Sequence, residues 1–145
     1  MRLMQFQIDD IIKTALLEDI NYIDVTTDYL VDENSVSTAK YVSKDDGVLC
    51  GIDVAMRVFQ LLDSNIKCEI FIHDGEKVKK GDIIAKITGS TRALLKGERT
   101  ALNIVQHMSG VATATNRCVE LVKGTKASVA DTRKTLPGLR VLQKY

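Results

Sequence analysis

The 145-residue sequence has few of the residues that mark several protein classes: it has one proline, no tryptophan and 5% aromatic residues. Its 45% hydrophobic and 27% charged content excludes a disordered or fibrous chain. No apolar run approaches the ~20 residues that cross a bilayer. Aromatic residues do not alternate with basic ones, which argues against a nucleic-acid-binding surface. The sequence therefore predicts a globular protein that acts on neither membranes nor nucleic acids.

Cysteine and histidine are also scarce. The three cysteines, Cys50, Cys68 and Cys118, are scattered and form no Cys-x-x-Cys pair. They predict small core residues in a reducing compartment, hence a cytoplasmic protein, rather than a disulfide or zinc framework. His73 and His107 have no metal-binding partner nearby in the sequence. We interpret His107 as a hydrogen-bonded surface residue and leave any further role of either histidine open.

The charges are balanced in number but segregated along the chain. The net charge is +1, yet residues 1–34 carry eight acidic and two basic side chains. Residues 121–145 carry six basic side chains and one acidic one, Asp131. A basic end of this kind can gather anionic ligands, although it is also typical of a solvated lysine-rich face.

The hydrophobic periodicity predicts alternating helices and short strands. Two positions interrupt the predicted elements: residues 24–28 are expected to form a loop, and the long helix is expected to break near Ser109 and Gly110. Gly124 is expected to cap that helix, and Pro137 to begin the last one. The predicted helices lie near residues 8–16, 51–62, 91–108, 111–124 and 137–145, and the predicted strands at residues 35–42, 48–50, 66–72, 83–87 and 127–130.

The end of the sequence predicts an incomplete second domain. A single apolar strand over residues 127–130, followed by about two turns of helix, cannot complete a sheet layer. We therefore expect an N-terminal domain over residues 1–110 and the beginning of a second domain over residues 111–145. A tail that docks on the first domain is the alternative.

The loop that follows the predicted last strand is the first candidate site. Parallel α/β folds place ligands at the carboxyl ends of strands, and Asp131 to Thr135 occupy such a position. The Arg133 guanidinium can bind a carboxylate through two hydrogen bonds, while Lys134 can act as a movable positive charge. Thr132 adds a hydroxyl group to the same loop.

The long helix carries a second candidate cluster. Arg99, Asn103 and Gln106 or His107 recur at helical spacing and form a polar stripe. The opposite face is apolar, so the stripe is also typical of a solvated helix surface.

Several motifs in the sequence resemble the quinolinate phosphoribosyltransferase family. The resemblance extends over nearly the whole chain, and the last motif is highly specific. The motifs occupy residues 97–103 (GERTALN), 108–115 (MSGVATAT), 124–126 (GTK) and 131–140 (DTRKTLPGLR), with shorter matches at residues 17–19, 24–27, 46–49 and 74–75.

The resemblance implies a fold and a reaction. Members of the family have an α/β sandwich with a mainly antiparallel sheet, then linker helices and an open α/β barrel; this chain would hold the sandwich, the linker helices and only the first strand and helix start of the barrel. The enzymes transfer phosphoribosyl from phosphoribosyl pyrophosphate to quinolinate with Mg²⁺ assistance. The products are pyrophosphate, carbon dioxide and nicotinate mononucleotide, an intermediate of NAD biosynthesis. The metal ligands are expected beyond Tyr145, so the isolated chain is expected to be inactive.

The resemblance also assigns substrate-binding roles to four residues. Thr132, Arg133 and Lys134 are similar to the residues that bind the pyridine carboxylates, with Lys134 also near phosphate. Arg99 resembles the arginine that one subunit of a homodimer supplies to the active site of its partner. Asp131 is interpreted as an orienting residue of the loop.

Three other readings remain open. Residues 73–87 resemble half of a lipoyl or biotinyl carrier domain, but the sequence lacks the context of a modified lysine. A non-catalytic dimerisation module is the second alternative. The third is a related phosphoribosyltransferase that acts on another anionic ring.

Overall fold

The computed structural model describes residues 3–20 and 23–145. Its elements agree with most of the helices and strands that the periodicity predicts. In chain order they are α1 (Gln5–Ile20), α2 (Val25–Leu30), β1 (Val36–Val42), β2 (Gly47–Val48), α3 (Ile52–Leu62), β3 (Lys67–Ile70), β4 (Lys77–Val78), β5 (Ile83–Ser90), α4 (Thr91–Val122) and α5 (Arg140–Gln143).

The strands form two antiparallel sheets. The larger sheet has the order β1-β5-β3, with β5 in the centre, and β2 pairs with β4 in a separate ribbon. Ala39 lies opposite Ile87, and Tyr41 lies opposite Ala85. The predicted antiparallel arrangement of the N-terminal part is therefore confirmed.

The core lies between the three-stranded sheet and helices α3 and α4. Helices α3 and α4 each contribute six buried hydrophobic residues to it, and those of α3 recur at helical spacing. The Tyr41 ring packs edge-on against the Phe59 ring, with the ring centroids 6.4 Å apart. The buried residues of α3 are Ile52, Val54, Ala55, Met56, Val58 and Phe59.

The predicted break in the long helix is wrong. Helix α4 runs without interruption from Thr91 to Val122, and it includes Ser109 and Gly110. The Ser109 hydroxyl accepts a hydrogen bond from Cys50 N at 3.0 Å and donates to Cys50 O at 3.1 Å. One turn later, Thr113 Oγ1 accepts from Val48 N at 2.9 Å. These hydroxyls bind the neighbouring chain segment instead of ending the helix, and the cost of one interior glycine, about 1 kcal/mol, is tolerated.

The predicted loop over residues 24–28 is also wrong. The segment forms helix α2, and Asp24 is its N-cap. The Asp24 carboxylate accepts a hydrogen bond from Thr27 N at 3.1 Å. Hydrogen bonding by the Thr27 side chain, and next by its backbone N–H, lowers the pKa of Asp24. Side chains that bond to the local backbone favour helix starts as well as loops.

The predicted strand over residues 127–130 is not formed as a strand. These residues are exposed, and no other segment of residues 3–20 and 23–145 pairs with them. A strand requires a hydrogen-bonded neighbour, and the described part of the chain supplies none at this position.

The last helix is shorter than predicted. Pro137 does not begin it, because Gly138 has a φ of 79°, which is left-handed and incompatible with a helix. Helix α5 begins at Arg140, and Leu142 is buried while Leu139 is half-buried.

The three cysteines differ in burial. Cys50 and Cys68 pack against the core as predicted, whereas Cys118 is exposed, so its assignment to the core is wrong.

Across the described ranges, none of the helices combines the length and the apolar character that a membrane span requires.

Candidate functional site

The loop of residues 131–135 lies at the surface, where its side chains can meet a ligand. Thr132, Arg133 and Lys134 are all exposed. The Thr132 hydroxyl accepts a hydrogen bond from Lys134 N at 3.1 Å, which closes a tight turn around Arg133. The two cationic residues, Arg133 and Lys134, are therefore exposed at a tight turn.

Two contacts tie this loop to the end of the chain. Lys144 Nζ lies 2.8 Å from Asp131 Oδ2, and Arg140 Nε donates to Thr135 Oγ1 at 3.1 Å. The ion pair joins Asp131 to the end of the chain, and its orienting role in the loop stays a prediction. Lys144 and Arg140 were missed by the sequence reasoning, although a helix after the loop would return basic residues to it.

Gln143 joins the same loop to helix α4. Its Oε1 accepts a hydrogen bond from Leu136 N at 2.8 Å, and its Nε2 lies 3.0 Å from His107 Nε2. His107 is thus a hydrogen-bonded residue of the helix surface, and that interpretation is confirmed. Gln143 was not predicted as part of the site, because sequence alone does not show which partner its amide meets.

A cavity of about 780 Å³ lies between helix α4 and the C-terminal segment. Thr132 and Lys134 line it, and Arg133 does not. Its other walls are the second half of α4, the turn at Asp74 and Gly75, and residues 142–145. Of the predicted residues, the structure therefore brings Thr132 and Lys134 together at the cavity and leaves Arg133 outside it.

The loop has an excess of positive charge. Among the described residues, no carboxylate forms an ion pair with Arg133, Lys134 or Arg140. Asp131, the one acidic residue of the segment, is neutralised by Lys144. Unpaired cations beside a cavity favour an anionic ligand.

The opposite wall of the cavity holds groups that remain uncharged near neutral pH. Burial, with a smaller effect from the neighbouring Asp74 carboxylate, raises the pKa of the Cys50 thiol to about 11. Partial burial, again assisted by Asp74, raises the pKa of Tyr145. Asp74 Oδ1 accepts a hydrogen bond from Ile52 N at 3.0 Å, at the start of α3. The cavity thus has the unpaired Lys134 on one side, and on the other the Asp74 carboxylate beside two groups that stay uncharged near neutral pH.

Arg99 lies elsewhere, on the outer face of helix α4. It is not among the residues that line the cavity, and its Nη1 donates to Asp19 Oδ1 at 2.6 Å. The hydrogen bond from Arg99 to Asp19 raises the pKa of the guanidinium. Asn103 and Gln106 are exposed on the same face, as the predicted polar stripe requires, while Ala101 and Val105 are buried.

The described residues do not supply a metal site. In the ranges 3–20 and 23–145, no group of three or more histidine, cysteine, aspartate or glutamate side chains is arranged to hold a metal ion. The donor set of the described residues therefore does not fit Mg²⁺.

Family models match two successive parts of the chain. Residues 24–109 match the quinolinate phosphoribosyl transferase N-terminal domain, and residues 111–145 match the C-terminal domain of the same enzymes. The chain belongs to the quinolinate phosphoribosyltransferase family. The resemblance identified from the motifs is confirmed, and the two matches meet within helix α4.

Curated relatives of this family show the same likeness. The nicotinate-nucleotide pyrophosphorylase [carboxylating] of Mycobacterium leprae is 43% identical over 139 residues, which are 94% of this chain and 49% of that protein. A probable enzyme of the same name from Bacillus subtilis is 38% identical, over 96% of this chain and 48% of that protein. The chain spans about half the length of the curated relatives it matches.

Solved structures of the family confirm the predicted fold class. NadC from Streptococcus pyogenes superposes with a TM-score of 0.96 at 40% identity, over 100% of this chain and 52% of that one. The nicotinate-nucleotide pyrophosphorylase from Francisella tularensis gives a TM-score of 0.92 at 36% identity, over 99% of this chain and 51% of that one. The superposition includes residues 127–145, so the path of the C-terminal segment is similar to that of the family.

Proposed function

We propose that this chain provides the quinolinate-binding loop of an enzyme that transfers a phosphoribosyl group to quinolinate. The observation that carries the proposal is the unpaired positive charge of Arg133 and Lys134, on a loop that matches the family motif and borders a cavity. Quinolinate carries two carboxylates and phosphoribosyl pyrophosphate carries several phosphates. Both substrates therefore require clustered guanidinium and ammonium groups.

The residue types suit distinct parts of the pyridine substrate. The Arg133 guanidinium binds one carboxylate through two parallel hydrogen bonds, and it is free to turn toward the cavity because it is exposed and unpaired within the described chain. Lys134 supplies a point charge to the second carboxylate or to a phosphate. The Thr132 hydroxyl stabilises the turn around Arg133 by accepting a hydrogen bond from Lys134 N.

The reaction needs no nucleophile from the protein. The pyridine nitrogen forms a bond to the anomeric carbon of the ribose as the bond to pyrophosphate breaks. Carbon dioxide then leaves the ring, and the ring carbon that keeps the electron pair takes up a proton from solvent. Positive charge develops on the ribose in the transition state, so positioning and electrostatic stabilisation are the contributions required of the side chains. Mg²⁺ accompanies phosphoribosyl pyrophosphate and would be held by residues other than those described.

The proposal includes a homodimer in which Arg99 reaches the substrate of the partner subunit. The side chain of Arg99 is 73% exposed and lies on an open face of α4, outside the cavity of its own chain. An arginine placed in this way is accessible to a partner subunit, which supports the proposed trans role. The cytoplasmic location that the cysteine pattern favours stays a prediction.

A hybrid enzyme tests the proposal. It joins residues 1–145 of this chain to the second half of the Streptococcus pyogenes NadC chain. We expect the hybrid to release pyrophosphate and carbon dioxide from quinolinate and phosphoribosyl pyrophosphate. A folded hybrid that used nicotinate or orotate instead would assign the site to another anionic ring, and a folded hybrid inactive on all three rings would contradict the proposal.

The isolated chain provides the complementary test. Purified residues 1–145 should release no pyrophosphate above the blank, because the described residues lack a metal-binding cluster. Turnover by the isolated chain would contradict the proposal that part of the active site lies outside residues 1–145.

A further inference from the structure

An ion pair links two helices that are distant in sequence. Arg99, in α4, donates from Nη1 to Asp19 Oδ1, near the end of α1, across 80 residues of chain. The Arg99 side chain is 73% exposed, whereas the Asp19 side chain is only 21% exposed. The carboxylate is therefore the fixed partner, and the guanidinium extends from it toward solvent.

The contact leaves the binding edge of the guanidinium free. Arginine has five N–H donors, and two of them, on Nε and Nη2, form an edge that matches a carboxylate. In Arg57 that edge is occupied, because Nε and Nη2 both donate to Asp9 at 2.8 Å. In Arg99 the Nε and Nη2 atoms donate to no partner within residues 3–20 and 23–145. The two pairs thus use opposite sides of the guanidinium.

Holding a long side chain in place before the ligand arrives lowers the entropic cost of binding. A free arginine side chain samples many rotamers, and binding must then restrict it. A carboxylate that fixes Nη1 removes part of this freedom before the ligand arrives. Asp24 and Glu98 add negative charge near Arg99, which raises the pKa of the guanidinium further after the larger effect of Asp19.

We propose that Asp19 is a positioning residue, which holds Arg99 with its Nε and Nη2 edge directed outward to receive a ligand carboxylate in the partner subunit. The inference rests on the proposed function, because it assumes that Arg99 contacts substrate across the dimer. The inference identifies Asp19 as the residue that orients Arg99 for that contact. Asp19 itself touches no substrate.

Steady-state kinetics of the hybrid enzyme test the inference. We expect Asp19→Asn to raise the KM for quinolinate about two- to tenfold, the factor that corresponds to restricting one flexible side chain on binding. The kcat and the KM for phosphoribosyl pyrophosphate should stay within about twofold, since the pyridine substrate alone loses its prepared partner. Asp19→Glu should recover part of the lost affinity, because it restores the carboxylate.

Asp9→Asn is the matched control. It makes the same replacement in the same helix and breaks the Asp9–Arg57 pair, whose guanidinium edge is already occupied. We expect it to leave the KM for quinolinate unchanged. An equal rise in KM for both variants would show a general effect on α1 and would overturn the inference.

Two further measurements separate this inference from the proposed function. If Arg99→Ala leaves the KM for quinolinate unchanged, the trans contact itself is wrong, and the role of Asp19 falls with it. If Arg99→Ala raises that KM and Asp19→Asn does not, only the positioning role is overturned. In the Arg99→Ala background, Asp19→Asn should have no further effect on KM.

Nuclear magnetic resonance of the 145-residue chain gives a readout that does not depend on turnover. Rotation of the Arg99 guanidinium about its Nε–Cζ bond should be slow in the wild-type chain and fast in Asp19→Asn. Fast rotation already present in the wild type would overturn the inference.

Discussion

Gly51 and Met108 are in direct contact where helix α3 begins beneath helix α4. A Cβ atom added to Gly51 would lie 2.5 Å from Met108 Sδ, closer than real atoms approach. Gly51 also has a φ of 90°, a left-handed conformation that side chains disfavour. Because α4 forms one wall of the cavity, this contact helps to set the position of the site.

The first prediction concerns this contact. We expect Gly51→Ala to lower the free energy of unfolding by about 2–5 kcal/mol, from left-handed strain plus overpacking. Gly124→Ala is the control, since Gly124 has a φ of 82° but no atom within 4 Å of an added Cβ, and it should cost about 1–2 kcal/mol. Urea unfolding measures both, and equal losses would show that the contact with Met108 contributes nothing.

The second prediction concerns the attachment of the candidate loop to α4. Gln143→Ala removes the acceptor of Leu136 N and the partner of His107, so we expect loss of about 1 kcal/mol of stability. The Leu136 amide should also exchange its hydrogen faster. Gln106→Ala, at an exposed position of α4, is the control and should change neither quantity. Unchanged exchange in Gln143→Ala would contradict the attachment.

The third prediction concerns pH. The hydrogen bond from Arg57 lowers the pKa of Asp9 below its ordinary value of 3.8, more strongly than partial burial raises it. A carboxyl with a lowered pKa in the folded state stabilises the fold above its unfolded pKa, and this contribution is lost as the pH falls through the folded value. The Asp9 side chain is 18% exposed, so the contribution is about 1 kcal/mol or less.

Urea unfolding of the wild type and Asp9→Asn across a pH series checks this sign. The wild type should be the more stable at pH 7, and the difference should shrink as the pH falls from the ordinary pKa of 3.8 through the lower folded-state pKa of Asp9. A difference that stays constant over that range would rule out the Asp9 carboxylate as its source.

The sequence predicted those elements whose stability comes from their own periodicity. Helices α1 and α3 are confirmed, because their apolar residues recur at helical spacing, and the apolar run that begins β5 is confirmed as a strand. The continuity of α4 could not be predicted in the same way. Ser109 bonds to Cys50 across 59 residues of chain, and no local pattern reveals that partner.

The candidate site was likewise only partly predictable from the sequence. The Thr132, Arg133 and Lys134 motif was recognisable from the sequence, because residues 131–140 resemble a highly specific motif of the family. The contacts that shape the loop were not predictable, since Lys144 meets Asp131 and Gln143 meets His107 only after the chain folds back on α4. Residues 127–130 were predicted as a strand from their apolar character, yet a strand also requires a neighbour.

The fourth prediction tests the central claim that a cationic loop binds the pyridine dicarboxylate. In the hybrid enzyme, Arg133→Ala should weaken quinolinate binding by about 2–5 kcal/mol, because truncation leaves a desolvated carboxylate without its partner. Lys123→Ala, which removes an exposed cation paired with Glu120 outside the loop, is the control and should keep the wild-type kinetics. The decisive measurement is kcat/KM for quinolinate: we expect a large fall in Arg133→Ala alone, and a wild-type value in that variant would contradict the account.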